Sequence, residues 1–206
     1  MKQRSDADHH EKMKKVQAAH EKKLAGKTIE KGLVIVNTGP GKGKTSAALG
    51  MIVRAIGHGM KVGVVQFVKG AMETGEKAVF DRFPDQIEFK PMGEGFTWNT
   101  QDRAQDVASA RAGWERAKRM IEESRREQPA YDVVILDELN IAVHYEYLPI
   151  EEIVPVLASK PRELSIVITG RGAKPELIAV ADTVTEMRPL KHAYEVGVKA
   201  RKGIEF

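Results

Sequence analysis

The chain has 206 residues, 42% of them hydrophobic, and no cysteine, with a net charge of +4 and a pI near 9.2. That length and composition fit one globular domain with a sizeable core, and they exclude disulfides, thiolate metal sites and a cysteine nucleophile. No apolar run is long enough to cross a bilayer, the N-terminus lacks an apolar signal segment, and the missing cysteines suit the cytoplasm.

The charge is unevenly placed. Residues 1 to 31 hold 9 Lys/Arg and 5 Asp/Glu, whereas the remaining 24 basic and 24 acidic residues balance. The excess therefore belongs to an N-terminal arm and not to the body, which argues against a nucleic-acid-binding body. Residues 1–28 are read as this arm and 29–206 as the folded domain. Met13, Val16, His20 and Leu24 fall at helical spacing in the arm, and Gly26 is a stop. The stripe is thin, so the free arm is expected to be disordered, and to dock over a site or partner subunit when ligand is present.

Strands and helices then alternate. Leu33–Asn37 reads as a strand and Thr45–Gly57 as a helix; Lys61–Phe67 is a second strand. Glu76–Phe83 is a short helix and Ile87–Met92 a short strand. Gln101–Glu127 is a long helix whose buried face is marked by Val107, Ala110, Trp114, Ala117 and Ile121. Val133–Leu136 is a strand bounded by Asp132 and Asp137, and Pro149–Leu157 a helix disturbed by Pro155. Ser165–Thr169, Pro175–Ala181 and Thr183–Met187 complete the alternation as strand, helix and strand. Continuous Val/Ile strands between helices predict an α/β fold, a mostly parallel sheet with helices on both faces and its site at the strands' carboxyl ends.

Four segments fall at those ends. The first is Thr38-Gly39-Pro40-Gly41-Lys42-Gly43-Lys44-Thr45-Ser46, between a strand and a helix. This is the context of a phosphate-binding P-loop. Glycines let backbone N–H groups converge on one anion, and the helix adds its unpaired N–H groups and dipole. Lys44 brings a mobile positive charge, and the Thr45 hydroxyl can ligate magnesium. The general pattern starts with Gly six residues before its Lys; here that position is Thr38.

The second segment ends a strand in Asp137-Glu138, and a strand-end carboxylate near the P-loop Thr is how many P-loop proteins hold magnesium. The third is Gly93-Glu94-Gly95-Phe96-Thr97-Trp98. Its two aromatics either line a site for a flat apolar ligand or fold back into the core. The fourth, Thr169-Gly170-Arg171-Gly172, is either an anion-facing turn or merely a tight one. The C-terminal Lys191–Gly203 reads as solvated surface. The six histidines have no metal-ligand spacing.

These residues alone describe a magnesium-nucleotide protein with an open second substrate. The sequence also resembles the P-loop class of ATP:corrinoid adenosyltransferases, which act on cob(I)alamin or cob(I)yrinic acid a,c-diamide. The resemblance is carried by Thr38–Ser46, Arg54–Gly59, Val62–Gly70, Gly95–Trp98, Leu136–Leu139, Tyr147–Pro149, Ile168–Gly172 and Arg188–Ala193, in order, from about Gly32 to the end. The Thr38 start looks like this family.

The resemblance implies a RecA-like P-loop NTPase fold and an alkyl transfer. Reduced cobalt(I) attacks the ribose C5′ of ATP, triphosphate leaves, and adenosylcobalamin or a precursor forms in biosynthesis or salvage. It implies ATP contacts from Gly39, Pro40, Gly41, Lys42, Gly43, Lys44, Thr45 and Ser46, with ATP bound backwards relative to ordinary P-loop enzymes. It implies Mg2+ (or Mn2+) held by Thr45 and Glu138 with Asp137 near. Lys44 stabilises the leaving triphosphate, while Phe96 and Trp98 approach the lower corrinoid face and leave cobalt(II) four-coordinate and easier to reduce. It implies cobalamin, cobinamide or cobyrinic acid a,c-diamide as the second substrate. It implies electrons from a flavodoxin or reduced flavin and a homodimer, since the family is usually dimeric, with neither nucleic acid nor membrane expected as a partner. An ordinary P-loop ATPase or kinase, and a DNA-dependent motor using the arm, are the rival readings, and both predict ADP as product.

Overall fold

The computed structural model describes residues 6–67, 75–91 and 102–204. The chain forms two units, Met1–Glu30 and Lys31–Phe206. In the first, helix α1 (Asp6–Ala25) spans the spaced apolar positions of the arm. Asp6 and Asp8 lie in its first turn and Lys22 and Lys23 in its last, the polarity its dipole favours. A Glu11–Lys15 pair at 2.7 Å one turn apart adds a few tenths of a kcal/mol at most.

The second unit is built on six parallel strands in the order β3-β2-β4-β5-β1-β6. They are β1 (Val34–Thr38), β2 (Val62–Gln66), β3 (Ile87–Pro91), β4 (Val133–Asp137), β5 (Ser165–Thr169) and β6 (Thr183–Glu186). The described helices are α2 (Lys44–Gly57), α3 (Gly75–Phe80), α4 (Arg103–Glu123), α5 (Leu139–His144), α6 (Ile150–Ala158) and α7 (Pro175–Val180), followed by a 3-10 turn at Ala193–Val196.

Strand side chains alternate between two cores, as period two requires. Val64, Ile135 and Val167 pack with Ala48, Leu49 and Ile52 of α2 on one face. Val65, Val134, Leu136, Ile166 and Ile168 pack with Ala110, Trp114, Ala117 and Ile121 of α4 on the other. The continuous apolar runs follow from burial on both faces. Trp114, 1% exposed, is a core residue as its place on the helical stripe predicts. Truncating such a side chain to Ala costs about 3–5 kcal/mol.

Two local differences from the sequence reading have clear causes. Helix α4 begins at Arg103 because the Asp102 carboxylate accepts from the N–H groups of Ala104 (2.9 Å) and Gln105 (3.2 Å). It closes where Ser124 Oγ donates to Met120 O at 2.8 Å. Six-residue helix α5 was not anticipated. Leu139, Ala142 and Val143, spaced i, i+3, i+4, bury its inner face directly after β4.

β5 lies between β1 and β4, so the glycine-rich loop after β1 and the carboxylates after β4 flank the end of β5. The register puts Asn37 beside Thr169, Leu136 beside Ile168, and Gln66 beside Asp137. The polar ends of four strands therefore converge.

Candidate active site

Thr38 closes β1 as a strand residue paired with Glu186, so this position needs no glycine-only conformation. The loop proper starts one residue later. Gly39 and Gly43 take φ of +96° and +101°, and Gly43 is the N-cap of α2. Met187 brackets the loop from outside: its N–H donates to Thr38 O (2.8 Å) and its carbonyl accepts from Gly41 N–H (2.7 Å). A Cβ on Gly41 would lie 2.7 Å from Met187 O, which no side chain tolerates, so glycine here is a matter of space.

Lys44 is 7% exposed. Its ammonium donates to Gly39 O (2.9 Å) and Gly41 O (2.5 Å), inside the curve of the loop. Thr45 is half-buried in the first turn of α2, while Pro40, Lys42 and Ser46 are exposed.

Asp137 is the hub on the opposite side, at 1% exposure. Oδ1 accepts from Thr45 Oγ1 (2.9 Å) and Thr169 Oγ1 (2.6 Å), and Oδ2 accepts from Gln66 Nε2 (2.8 Å). Donors from α2, β5 and β2 thus fix one buried carboxylate. Glu138 follows with φ of +63°, an uncommon conformation for a side-chain-bearing residue, and its N–H donates to Thr169 Oγ1 at 2.9 Å. Its half-buried carboxylate lies beside the Gly170 turn, where a Cβ would come within 3.1 Å of Glu138 Oε2. Asn140 Nδ2 donates to Gly170 O at 2.8 Å, and Ala173 N–H donates to Thr38 Oγ1 at 3.2 Å. The Thr169–Gly172 turn is thereby tied to both carboxylate strand end and P-loop.

The structure therefore brings together Gly39–Thr45, Asp137 and Glu138. It adds Gln66, Thr169, Asn140 and Met187, whose roles the sequence reading did not assign. The signal for Gln66 and Thr169 was a lone polar residue ending an apolar strand. Phe96 and Trp98, with the whole Gly93–Trp98 segment, lie outside the described residues.

A hydroxyl and a buried carboxylate 2.9 Å apart are hard oxygen donors. Magnesium is commonly held through one or two carboxylates plus substrate phosphates and waters, so the donor set fits that ion. Among the described residues there is no cluster of three or more His, Cys, Asp or Glu that would make a closed protein cage.

A parallel sheet, a P-loop at the end of β1 and a hydroxyl–carboxylate pair across β5 define a P-loop NTPase-like nucleotide-binding protein. Comparison with known proteins narrows the class. The family model described as ATP:corrinoid adenosyltransferase BtuR/CobO/CobP matches residues 30–206, and the chain belongs to this family. It is 52% identical over 206 residues to a corrinoid adenosyltransferase of Sinorhizobium sp, covering 99% of this chain and 94% of that one. It is 48% identical over 201 residues to a corrinoid adenosyltransferase of Pseudomonas aeruginosa (98% and 97% covered). It is 44% identical over 202 residues to the corrinoid adenosyltransferase CobA of Salmonella typhimurium (98% and 100% covered).

Proposed function

We propose that this chain transfers the 5′-deoxyadenosyl group of ATP to the cobalt(I) of a reduced corrinoid, releasing triphosphate, in adenosylcobalamin biosynthesis or salvage. Family membership supports the reaction. The observation in the fold that carries it is the Thr45–Asp137 contact beneath the Gly39–Gly43 loop, a seat for a polyphosphate and its counter-ion.

Each residue has a task in that reaction. The leaving group carries several negative charges, so loop N–H groups and Lys44 stabilise it as the bond to C5′ breaks. Lys44 is already inside the loop, and ATP exchanges its carbonyl partners Gly39 and Gly41 for phosphate oxygens. The resemblance assigns Mg2+ (or Mn2+) to Thr45 and Glu138 with Asp137 near; since Asp137 is the carboxylate bonded to Thr45, Thr45 and Asp137 would hold the ion with Glu138 beside them, and it would supply positive charge to the same oxygens. Gln66 and Thr169 orient the Asp137 carboxylate. The nucleophile belongs to the corrinoid, so no activated protein nucleophile is required.

Phe96 and Trp98 are assigned to the lower corrinoid face, where they exclude an axial ligand and ease reduction of cobalt(II). The arm, residues 1 to 28, is assigned the part of a cover that orders over the site when both substrates are bound. A flavodoxin or reduced flavin as electron donor, a homodimer and a cytoplasmic location complete the reading by resemblance to the family. No described helix is long and apolar enough to cross a membrane. Mixing the protein with ATP, magnesium and chemically reduced cobinamide tests the reading. A cobalt–carbon bond should form at a rate proportional to enzyme; an enzyme-independent rate would refute it.

A further inference from the structure

The described residues also enclose an open cavity of about 490 Å3, within the range of small-ligand pockets, about 300–1,000 Å3. It is lined by the start of α4, the end of α5 with the turn after it, and Lys174. These segments follow the carboxyl ends of β3, β4 and β5, the functional edge of the sheet. Lys174 is joined to the P-loop through its neighbour Ala173, which hydrogen-bonds Thr38.

Three kinds of surface meet there. Val107, Val143 and Leu148 supply apolar wall, and Tyr147 supplies a flat ring whose hydroxyl donates to Asp106 Oδ2 at 3.3 Å. Arg103, Arg111 and Lys174 supply positive charge, Arg111 being paired with Glu152 at 2.5 Å. Glu146 and Glu151 supply carboxylates, and the Glu146 backbone takes φ of +58°. Among the described residues only Glu138 and Glu146 combine a side chain with positive φ, and Glu138 belongs to the site described above. Backbone strain of this kind gathers at ligand sites.

We propose that this cavity receives the nucleotide tail of a complete corrinoid, the benzimidazole ribonucleotide, when its base is off cobalt; this rests on the adenosyltransferase reading. Each wall has a matching group on the tail. The apolar wall and Tyr147 take the flat base. Arg103 and Lys174 take the phosphodiester, and the Glu146 carboxylate accepts from sugar hydroxyls.

The test compares cobalamin, which has the tail, with cobinamide, which lacks it. Lys174→Ala and Glu146→Gly are suited variants, because glycine accepts the positive φ at 146 and neither residue belongs to the P-loop machinery. Both should raise the KM for cobalamin about tenfold while leaving cobinamide and ATP parameters unchanged. Free benzimidazole ribonucleotide should compete with cobalamin and not with cobinamide in the wild type. Equal effects on both corrinoids, or none on either, would overturn the proposal. An effect on the KM for ATP would overturn it too, since adenosine would then be the occupant. Absence of adenosylation of cobinamide by the wild type would instead sink the adenosyltransferase reading.

Discussion

Thr45 Oγ1 donates to Asp137 Oδ1 across 2.9 Å, tying the first turn of α2 to the last residue of β4. The contact joins the P-loop side of the candidate site to its carboxylate side. It also ranks the two strand-end carboxylates: Asp137 is directly bonded to Thr45, and Glu138 stands one residue further out beside Gly170. Asp137→Asn should therefore lower turnover about a hundredfold to a thousandfold and raise the magnesium requirement. Glu138→Gln should cost less. Turnover against magnesium concentration separates the two, and the reverse ranking would move the metal to Glu138.

Lys44 is the charge placed inside the loop, bonded to Gly39 and Gly41. Lys44→Ala should lose about a hundredfold to a thousandfold in rate at saturating ATP. Near-normal kcat with only a raised KM for ATP would show that the lysine binds the ground state and not the departing triphosphate.

Replacing both Phe96 and Trp98 with Ala should cripple the reaction started from cobalt(II) corrinoid. Chemically reduced cobalt(I) should restore most of it, since the alkyl transfer itself does not need them. Equal losses from both oxidation states would assign the aromatics to plain corrinoid binding.

A pH effect on stability arises at the far edge of the sheet. Tyr131 Oη donates to Glu88 Oε2 at 2.5 Å, and the Arg116 guanidinium donates to both Glu88 and Tyr131. Burial pushes the Glu88 carboxyl up, but the hydrogen bonds from Tyr131 and Arg116 outweigh it and hold Glu88 below its ordinary range. A depressed carboxylate stabilises fully above its unfolded pKa of about 4.3, and that contribution is lost as pH falls through the lower folded value. Urea midpoints should therefore begin to lose this contribution only below about pH 5, and Glu88→Gln should flatten that part of the drop. An unchanged pH profile in Glu88→Gln would remove Glu88 from the account.

Deleting residues 1 to 25 should leave ATP binding intact, weaken corrinoid binding and lower turnover. Hydrogen exchange across Lys12–Leu24 should slow only with both substrates present. Equal exchange in all states together with full activity of the truncated chain would make the arm a solvated tail.

The alternation of strands and helices was legible because the four inner strands, β1, β2, β4 and β5, are buried on both faces and so are written as largely apolar Val/Ile runs, whereas the edge strands β3 and β6 are more polar. The P-loop was legible because its glycines and Lys44-Thr45 are contiguous. The all-parallel order β3-β2-β4-β5-β1-β6 was not, since pairing order is set by crossovers and leaves no local mark. Nor were the partners of Asp137. Gln66 and Thr169 are 71 and 32 residues away in sequence, and only the sheet register brings them to one carboxylate. Met187 acts through its backbone, which no side-chain pattern encodes. Helix α5 was missed because six residues are too few to display a period beside an apolar strand.

The central claim is that ATP is cleaved at C5′ and not between phosphates. Labelled ATP incubated with the protein, magnesium and cobalt(I) corrinoid, followed by separation of the polyphosphate products, decides it directly. The account predicts one intact triphosphate per cobalt–carbon bond formed, and no cleavage without corrinoid. Release of ADP, whether spontaneous or stimulated by corrinoid or DNA, would contradict it.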